Sequence, residues 1–232
     1  MSVVLESLRK AVLDANLDLV RQGLVFHTFG NASGISRNDG LVVIKPSGVS
    51  YESLRASDLV VTDLEGNHVE GALRPSSDLA THLVIYRAFP TVGGVAHTHS
   101  RYAAAWAQAG REIPCLGTTH ADYFHGSVPI TEPMSREEIE RDYEANTGHV
   151  IVRRYSNLDP SSRPAVLVHG HGPFCWGPSP SEAVHTAAMV EEIARVALYT
   201  VTINPAASPI SQSLLDKHFL RKHGPGAYYG QK

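Results

Sequence analysis

The sequence predicts a layered domain of the α/β or α+β class, and three observations carry this prediction. Short apolar runs separated by turn residues occupy the first half of the chain, isolated apolar runs and helix-like segments follow, and 43% of the 232 residues are hydrophobic. That content can bury a substantial core, and 232 residues suit one larger domain or two small ones. No linker is obvious in the sequence, and we expect one domain over residues 1–232. The strand spacing does not reproduce a Rossmann repeat and no Gly-x-Gly-x-x-Gly occurs, which argues against a dinucleotide enzyme.

Helical periodicity and capping residues predict the helices. The first helix has apolar residues on one face between Leu5 and Val20 and ends near Gly23, since glycine commonly terminates helices. Serine and aspartate at 75–78 cap a second helix, and the sequence 135–138 is a capping box that opens another. The predicted helices cover residues 5–22, 78–86, 101–108, 135–145, 181–200 and 211–223.

Short apolar runs bounded by turn residues predict the strands. Turns at 37–40 and 65–67 separate the early strands, and residues 114–126 form an irregular stretch. The predicted strands cover residues 24–29, 34–36, 41–44, 59–62, 93–97 and 165–168.

The composition of the chain limits the classes of binding partner and the cellular compartment that we expect. The formal net charge of -3 has mixed signs and forms no basic stripe, so we expect no nucleic-acid partner. The chain has no uncharged apolar stretch long enough for a membrane span, and residues 5–20 are amphipathic, unlike a signal peptide. The two cysteines, Cys115 and Cys175, lie in apolar surroundings and fit buried thiols in a reducing compartment. We therefore expect a cytoplasmic protein.

Histidines at the ends of two predicted strands indicate a metal site. His97 and His99 are two residues apart, so on a strand their imidazoles point to the same side. A second pair, His169 and His171, follows the strand at 165–168. Imidazoles that converge from rigid elements suit a divalent transition metal. The alternative is a set of hydrogen-bonded surface histidines.

Three small polar clusters could bind an anion. Gly30-Asn31, the run from Lys45 to Gly48, and Ser76-Ser77 at a helix start offer hydroxyls, backbone N–H groups, an amide and one cation. Such groups bind phosphate well, although each cluster alone also fits ordinary turn and cap chemistry.

Two further segments carry candidate functional residues. Asp122 lies among apolar and aromatic residues, where a raised pKa would suit proton transfer, although a cap or loop role is the common alternative. Tyr228-Tyr229 stands in a tail where solvated residues are usual, which favours docking of this tail onto another surface.

Together these motifs resemble the L-ribulose-5-phosphate 4-epimerases, a branch of the class II aldolase/adducin-head superfamily. The resemblance runs in order from the first helix to the last residues. It rests on residues 30–33 (GNAS), 45–48 (KPSG), 75–78 (PSSD), 97–100 (HTHS), 117–123 (GTTHADY), 171–174 (HGPF), 217–224 (KHFLRKHG) and 228–231 (YYGQ).

The resemblance implies a three-layer α/β/α fold with a central, largely antiparallel sheet, and a role for each matched residue. Asp122 and Tyr229 would be the acid/base pair, with Tyr229 entering from a neighbouring subunit of a homotetramer whose active sites lie at subunit interfaces. The implied metal ligands for Zn²⁺, with Mn²⁺ or another divalent metal as alternatives, are Asp78, His97, His99 and His171. The implied residues for a sugar-phosphate substrate are Gly30, Asn31, Lys45, Ser47, Gly48, Ser76, Ser77, Thr118, Glu144, His218 and Arg221.

The implied activity interconverts L-ribulose 5-phosphate and D-xylulose 5-phosphate by cleavage and re-formation of the C3–C4 bond. A class II sugar-phosphate aldolase is an alternative, but aldolases of the family place glutamate where Asp78 stands. A dehydratase lacks support from the Tyr229 tail, and a non-catalytic adducin-like head would be expected to have lost metal ligands. Arabinose catabolism and ascorbate or xylulose routes remain open as the pathway served.

Overall fold

The computed structural model describes residues 3–230, so Gln231, the last residue of the tail motif, lies outside the described residues. Within this range the chain forms eight α-helices and seven β-strands. The helices are α1 (Val3–Arg21), α2 (Leu79–Ala88), α3 (Arg101–Gln108), α4 (Thr118–Ala121), α5 (Arg136–Glu140), α6 (Tyr143–Arg154), α7 (Pro180–Ile203) and α8 (Gln212–Lys222). The strands are β1 (Asn31–Ser36), β2 (Leu41–Ile44), β3 (Val60–Asp63), β4 (His68–Glu70), β5 (Gly94–His97), β6 (Ala165–Leu167) and β7 (Pro173–Gly177).

The seven strands form one sheet in the order β4-β3-β2-β1-β5-β7-β6, and every pair of neighbouring strands is antiparallel. Successive side chains point to opposite faces of this sheet. On β5, for example, Val95 belongs to the core cluster that includes α2, whereas Ala96 belongs to the cluster that includes α7. Both faces are therefore covered by apolar residues.

Helices cover each face. α1, α3 and α7 pack on one side, and α2 with α6 packs on the other. The expected three-layer α/β/α architecture with a largely antiparallel sheet is thus confirmed. Both cysteines are buried and free, as the sequence predicts. No helix among residues 3–230 is long and apolar enough to cross a membrane.

Two predicted elements were wrong, and α4, β4 and β7 were not predicted. Residues 24–29 form a tight turn closed by a bridge between Phe26 and Phe29, because His27 adopts a φ of 53° that a strand cannot accommodate. The helix predicted over 135–145 is split into α5 and α6, since Asp142 has a left-handed backbone with a φ of 49°. The strand β7 was not predicted, because it follows directly on the turn that carries His171.

Strand pairing brings distant motifs together at one end of the sheet. Asn31 on β1 pairs with His97 on β5, and His97 pairs with Phe174 on β7. The turn between β6 and β7, which carries His171, therefore lies beside His97. Polar residues from three separate segments therefore meet at this end of the sheet.

Candidate metal centre and active site

Three histidines converge at this end of the sheet, and we call His97, His99 and His171 the three-histidine cluster. His97 Nε2 lies 3.1 Å from His99 Nε2, and His171 Nε2 lies 3.2 Å from the same atom. One ligand atom from each residue lies within 4.8 Å of the others. The strand-end spacing of His97 and His99 predicted this convergence correctly.

The donor set fits a divalent metal. The Pro173 carbonyl accepts a hydrogen bond of 2.9 Å from His97 Nδ1–H, which leaves the lone pair of Nε2 directed into the cluster. His99 Nε2 can carry one proton at most, so it can satisfy only one of its two imidazole neighbours by hydrogen bonding. A cation placed between the three nitrogens would satisfy all of them.

Burial favours the neutral form of His99 and His171, which is the form that binds metals. Burial is the main cause that lowers the pKa of His171 to about 3, and the neighbouring His97 and His99 lower it further. Burial and His97 also lower the pKa of His99. Neutral imidazole is the form that offers a nitrogen lone pair to a metal.

His169 does not join the cluster. Its side chain is exposed, and its backbone N–H donates to Thr131 Oγ1 at 3.1 Å. The intervening Gly170 has a φ of 70°, a left-handed turn conformation that separates the directions of His169 and His171. The second His-x-His pair therefore differs from the first, because its two side chains do not converge.

A cavity of about 390 Å³ opens beside the three-histidine cluster. Nearly all of the residues predicted for the phosphate and the metal line it, together with residues that the sequence analysis did not single out. Its lining residues are Thr28, Phe29, Gly30, Asn31, Lys45, Pro46, Ser47, Gly48, Ser76, Ser77, Asp78, His97, His99, Tyr143, Glu144 and His171.

Backbone hydrogen bonds bring the two serine-containing loops of this cavity together. Ser47 N–H donates to the Arg74 carbonyl at 3.0 Å, and Ser76 N–H donates to the Lys45 carbonyl at 2.9 Å. Gly48 has a φ of 69°, which lets the first loop turn back tightly. The two loops that carry Ser47, Ser76 and Ser77 therefore lie side by side in the lining of the cavity.

Lys45 also lines this cavity, but its side chain is buried and its ammonium contacts the backbone of its own loop. Its ammonium donates to the carbonyls of Val49 at 2.7 Å and Pro46 at 3.3 Å, and lies 4.7 Å from the centre of the Tyr51 ring. Burial lowers the pKa of Lys45. In this structure the side chain closes its own loop, and its charge adds to the positive potential around the serine hydroxyls.

Asp78 lines the cavity but lies outside the three-histidine cluster. Its Oδ2 accepts a hydrogen bond of 2.6 Å from Asn31 Nδ2, which also donates to Ser76 Oγ at 3.1 Å. Burial acts to raise the pKa of the Asp78 carboxyl, but His97, His82 and the Asn31 hydrogen bond together outweigh it and lower the pKa. Asp78 is therefore a carboxylate positioned beside the cluster.

The remaining predicted residues form a second group, which we call the C-terminal cluster: Asp122, His218, Arg221 and Tyr229. The Asp122 carboxylate accepts from Arg221 Nε at 2.9 Å, from Arg221 Nη2 at 2.7 Å and from His218 Nδ1 at 3.1 Å. The Tyr229 ring centre lies 4.7 Å from the Arg221 guanidinium carbon. None of these four residues lines the cavity that holds the histidines, within the described part of the chain.

Hydrogen bonding keeps Asp122 ionised. Burial acts to raise the pKa of its carboxyl, but the hydrogen bonds from Arg221 and His218 prevail and lower it. The sequence analysis expected a raised pKa at Asp122, and this expectation was wrong because the cationic partners lie about a hundred residues away in the chain.

Thr118 lies apart from the three-histidine cluster too. It begins α4 and lines a separate, mostly apolar cavity of about 310 Å³ between this helix and α7. Tyr143 and Phe29, by contrast, line the cavity beside the three-histidine cluster, and the sequence analysis did not identify them. Each is a neighbour in sequence of a predicted residue, Glu144 and Gly30 respectively, which is the one signal that could have indicated them.

Comparisons with known proteins define the class to which this fold and site belong. Residues 10–198 match the family described as Class II Aldolase and Adducin N-terminal domain, and the chain belongs to this family.

Relatives that match over nearly the full length of the chain have more specific names. The chain is 55% identical to the L-ribulose-5-phosphate 4-epimerase UlaF of Salmonella paratyphi B, over 98% of this chain and 100% of the relative. It is 54% identical to the protein of the same name from Salmonella typhi, with the same coverage.

Solved structures share the fold. An L-fuculose 1-phosphate aldolase superposes with a TM-score of 0.80 at 23% identity, covering 95% of this chain and 97% of that one. The L-fuculose-1-phosphate aldolase of Thermus thermophilus superposes with a TM-score of 0.67 at 26% identity, covering 86% and 98% of the two chains.

Proposed function

We propose that this protein is an isomerase that interconverts L-ribulose 5-phosphate and D-xylulose 5-phosphate. The observation that carries the proposal is the 55% identity, over 98% of the chain, to a protein named L-ribulose-5-phosphate 4-epimerase. The similarity spans the segments that carry both the cavity and the C-terminal cluster, which a match confined to one motif would not.

The lining of the cavity offers two kinds of chemistry, as a phosphorylated sugar requires. It contains the three-histidine cluster, and it also contains the serines at 47, 76 and 77 and the buried Lys45. We assign the phosphate to these serines, together with Gly30, Asn31 and Gly48, because hydroxyls and free backbone N–H groups bind phosphate oxygens well. The sugar oxygens would then extend toward the histidines.

We propose Zn²⁺ as the resident metal, held by His97, His99 and His171 with Asp78 as a fourth or nearby ligand. Three imidazoles and a carboxylate are a common donor set for zinc, although Mn²⁺ or another divalent metal also accepts it. When bound, the metal would supply Lewis acidity to the C2 and C3 oxygens of the substrate.

Inversion at C4 requires proton transfer at the C4 hydroxyl on two sides. Simple deprotonation at C4 would give a carbanion with no adjacent carbonyl to stabilise it, so cleavage of C3–C4 is the easier route. We assign the two proton transfers to Asp122 and Tyr229, one removing the C4 hydroxyl proton as the bond breaks and the other reprotonating the new alkoxide. The phosphate contacts hold the two-carbon fragment while it rotates between these steps.

The separation of the two groups of residues supports a homo-oligomer with active sites at subunit interfaces. Asp122 and Tyr229 lie in the C-terminal cluster, outside the metal cavity of their own chain. On α7, the exposed apolar residues Val196, Tyr199 and Ile203 offer a surface that another subunit can cover. We therefore propose a cyclic homotetramer in which each metal cavity meets the C-terminal cluster of a neighbour.

An assay that separates epimerase from aldolase tests the proposal. Zinc-loaded protein is incubated with L-ribulose 5-phosphate or with L-fuculose 1-phosphate, with metal-stripped protein as the control. We expect D-xylulose 5-phosphate from the first substrate, no cleavage of the second, and no turnover without metal. Cleavage of L-fuculose 1-phosphate in preference would instead identify an aldolase.

A further inference from the structure

A buried polar chain lies behind the three-histidine cluster, and the function proposed above does not use it. Ser33 Oγ lies 2.7 Å from His82 Nδ1 and 2.7 Å from the Tyr86 hydroxyl. Ser33, His82 and Tyr86 are each 0% exposed. Buried polar groups are costly unless they are satisfied, so the protons in this chain have a defined order.

The order of the protons assigns the tautomer of His82. Ser33 Oγ is the acceptor within hydrogen-bond distance of the Tyr86 hydroxyl, so the phenol donates to it. The single Ser33 hydroxyl proton is then donated to His82 Nδ1, which leaves the imidazole proton on Nε2. The opposite order would leave the buried Tyr86 proton without an acceptor, at the cost of an unsatisfied group.

His82 Nε2 is a buried atom with no hydrogen-bond partner among residues 3–230. Because Nδ1 accepts the Ser33 hydroxyl proton, the imidazole proton is on Nε2. A buried Nε2–H needs a hydrogen-bond acceptor.

Helix geometry points this donor toward Asp78. His82 N–H donates to the Asp78 carbonyl at 3.0 Å, and Asp78 has helical backbone angles, so the two residues are one turn apart on the same face of α2. Side chains on a helix lean toward its N-terminus, which carries the His82 ring over Asp78. Asn31 already occupies Oδ2 of that carboxylate.

Phe174 fixes the ring beneath the metal centre. The His97 ring stacks on Phe174 with centroids 4.1 Å apart, and the His82 ring packs edge-on against the same phenyl at 6.0 Å. His82 therefore cannot turn away from Asp78 without disturbing the packing beneath a metal ligand.

We infer that His82 is a positioning residue whose Nε2–H donates, through one bridging water, to the Asp78 carboxylate and holds it toward the three-histidine cluster. His82 Nε2 is buried and has no hydrogen-bond partner among residues 3–230, and one bridging water would connect it to the carboxylate. The inference rests on the proposed function only in taking Asp78 as part of the working site.

The tautomer is tested on the protein with unaltered sequence. Two-bond ¹H–¹⁵N spectra of the zinc-loaded, ¹⁵N-histidine-labelled protein report which ring nitrogen is protonated, and the His82 signal is assigned by its loss in His82→Asn. We expect a neutral ring protonated at Nε2. A proton on Nδ1 would overturn the inference without any need for a variant to remain active.

The action through Asp78 is tested by zinc affinity. Asparagine at position 82 places its amide near the Nδ1 position, whereas glutamine places an N–H near the Nε2 position. We expect His82→Asn to weaken zinc binding by about tenfold, within the range seen when a residue that supports a ligand is lost, and His82→Gln to restore most of it. Equal losses in the two variants would contradict a role for the Nε2–H.

A double-mutant cycle separates this role from a general packing effect. We expect His82→Asn to have almost no further effect on zinc affinity when Asp78→Asn is already present. Tyr155→Phe, which removes another buried hydroxyl bonded to the Ala165 carbonyl, is the matched control and should leave zinc affinity unchanged. A full tenfold loss in the Asp78→Asn background would refute the inference. If the tautomer and the coupling are found in a protein without epimerase activity, the proposed function fails and this inference stands.

Discussion

Individual residues at the metal centre show how far local sequence spacing predicts chemistry. The spacing of two residues at a strand end was sufficient to predict that His97 and His99 converge, because the alternation of side chains is a property of the strand itself. The same spacing at His169 and His171 did not predict convergence, since Gly170 reverses the chain between them. The assignment of His171 came from the Gly-Pro-Phe that follows it.

The ligand assignment predicts different outcomes for four histidine variants. We expect His97→Asn, His99→Asn and His171→Asn each to weaken zinc binding by more than about 100-fold, because supporting residues alone account for about 10–100-fold. His169→Asn, whose side chain lies outside the cluster, is the matched control and should bind zinc like the parent. Elemental analysis after gel filtration measures the occupancy, and full zinc in the His171→Asn protein would show that the assignment is wrong.

The sequence could not predict which buried groups form hydrogen bonds with the individual site residues. The network of Asn31, Ser76 and Asp78 joins residues up to 47 positions apart, and its distances are known only once the loops are placed. Lys45 was expected to present its ammonium to a phosphate, but burial directs it to the carbonyls of its own loop.

Secondary-structure elements were predictable where one local rule decides them. α3 and β2 have the predicted bounds, because helical periodicity and a turn-bounded apolar run define them without help from distant residues. β7 and the break between α5 and α6 depend on tertiary contacts and on one left-handed residue, Asp142, which no pattern marks.

Polar contacts with Asp122 make the docking of the helix α8 sensitive to pH. Asp122 contacts α8 through Arg221 and His218, while Leu215 and Phe219 are the buried apolar residues of this helix. The folded-state pKa of Asp122 is below its ordinary value of 3.8. Its stabilising contribution is therefore present above about pH 4 and is lost as the pH falls through the folded-state pKa.

Hydrogen exchange along α8 checks this dependence. We expect the amides of α8 to exchange severalfold faster in Asp122→Asn than in the parent at neutral pH, since the charge-assisted bonds to Arg221 are lost. As the pH falls through the folded-state pKa of Asp122, which is below 3.8, the parent should approach the variant. Asp216→Asn, which removes a different carboxylate bonded to His125 Nε2 at 2.6 Å, is the control that should retain the Asp122 component. Equal protection in the parent and Asp122→Asn at neutral pH would rule out Asp122 as the anchor.

At the scale of the whole molecule, the two groups of proposed site residues are separate within one chain. The three-layer fold followed from patterning and resemblance, whereas the separation of the C-terminal cluster from the cavity beside the three-histidine cluster is visible only in the three-dimensional structure. The single domain over residues 1–232 stays a prediction. The proposed assembly has an experimental signature, because mixed oligomers can combine intact halves of different chains.

Subunit mixing tests the shared site. We expect activity to return when inactive His97→Asn and Tyr229→Phe proteins are partly dissociated, mixed and reassembled, since some interfaces then pair an intact cavity with an intact C-terminal cluster. Asp122→Asn mixed with Tyr229→Phe should stay inactive, because both residues come from the same chain. Mass spectrometry confirms subunit exchange. If the second mixture recovers activity, Asp122 and Tyr229 reach one site from different chains.

The central claim is that C4 is inverted by breaking and re-forming the C3–C4 bond while the phosphorylated fragment stays bound. The most direct test is to convert L-ribulose 5-phosphate in D₂O and to analyse the product by NMR and mass spectrometry. The account predicts D-xylulose 5-phosphate that retains ordinary hydrogen on C4, with no free glycolaldehyde phosphate, because the C4–H bond is never broken. Deuterium on C4, or accumulation of the free fragment in place of the epimer, would contradict it.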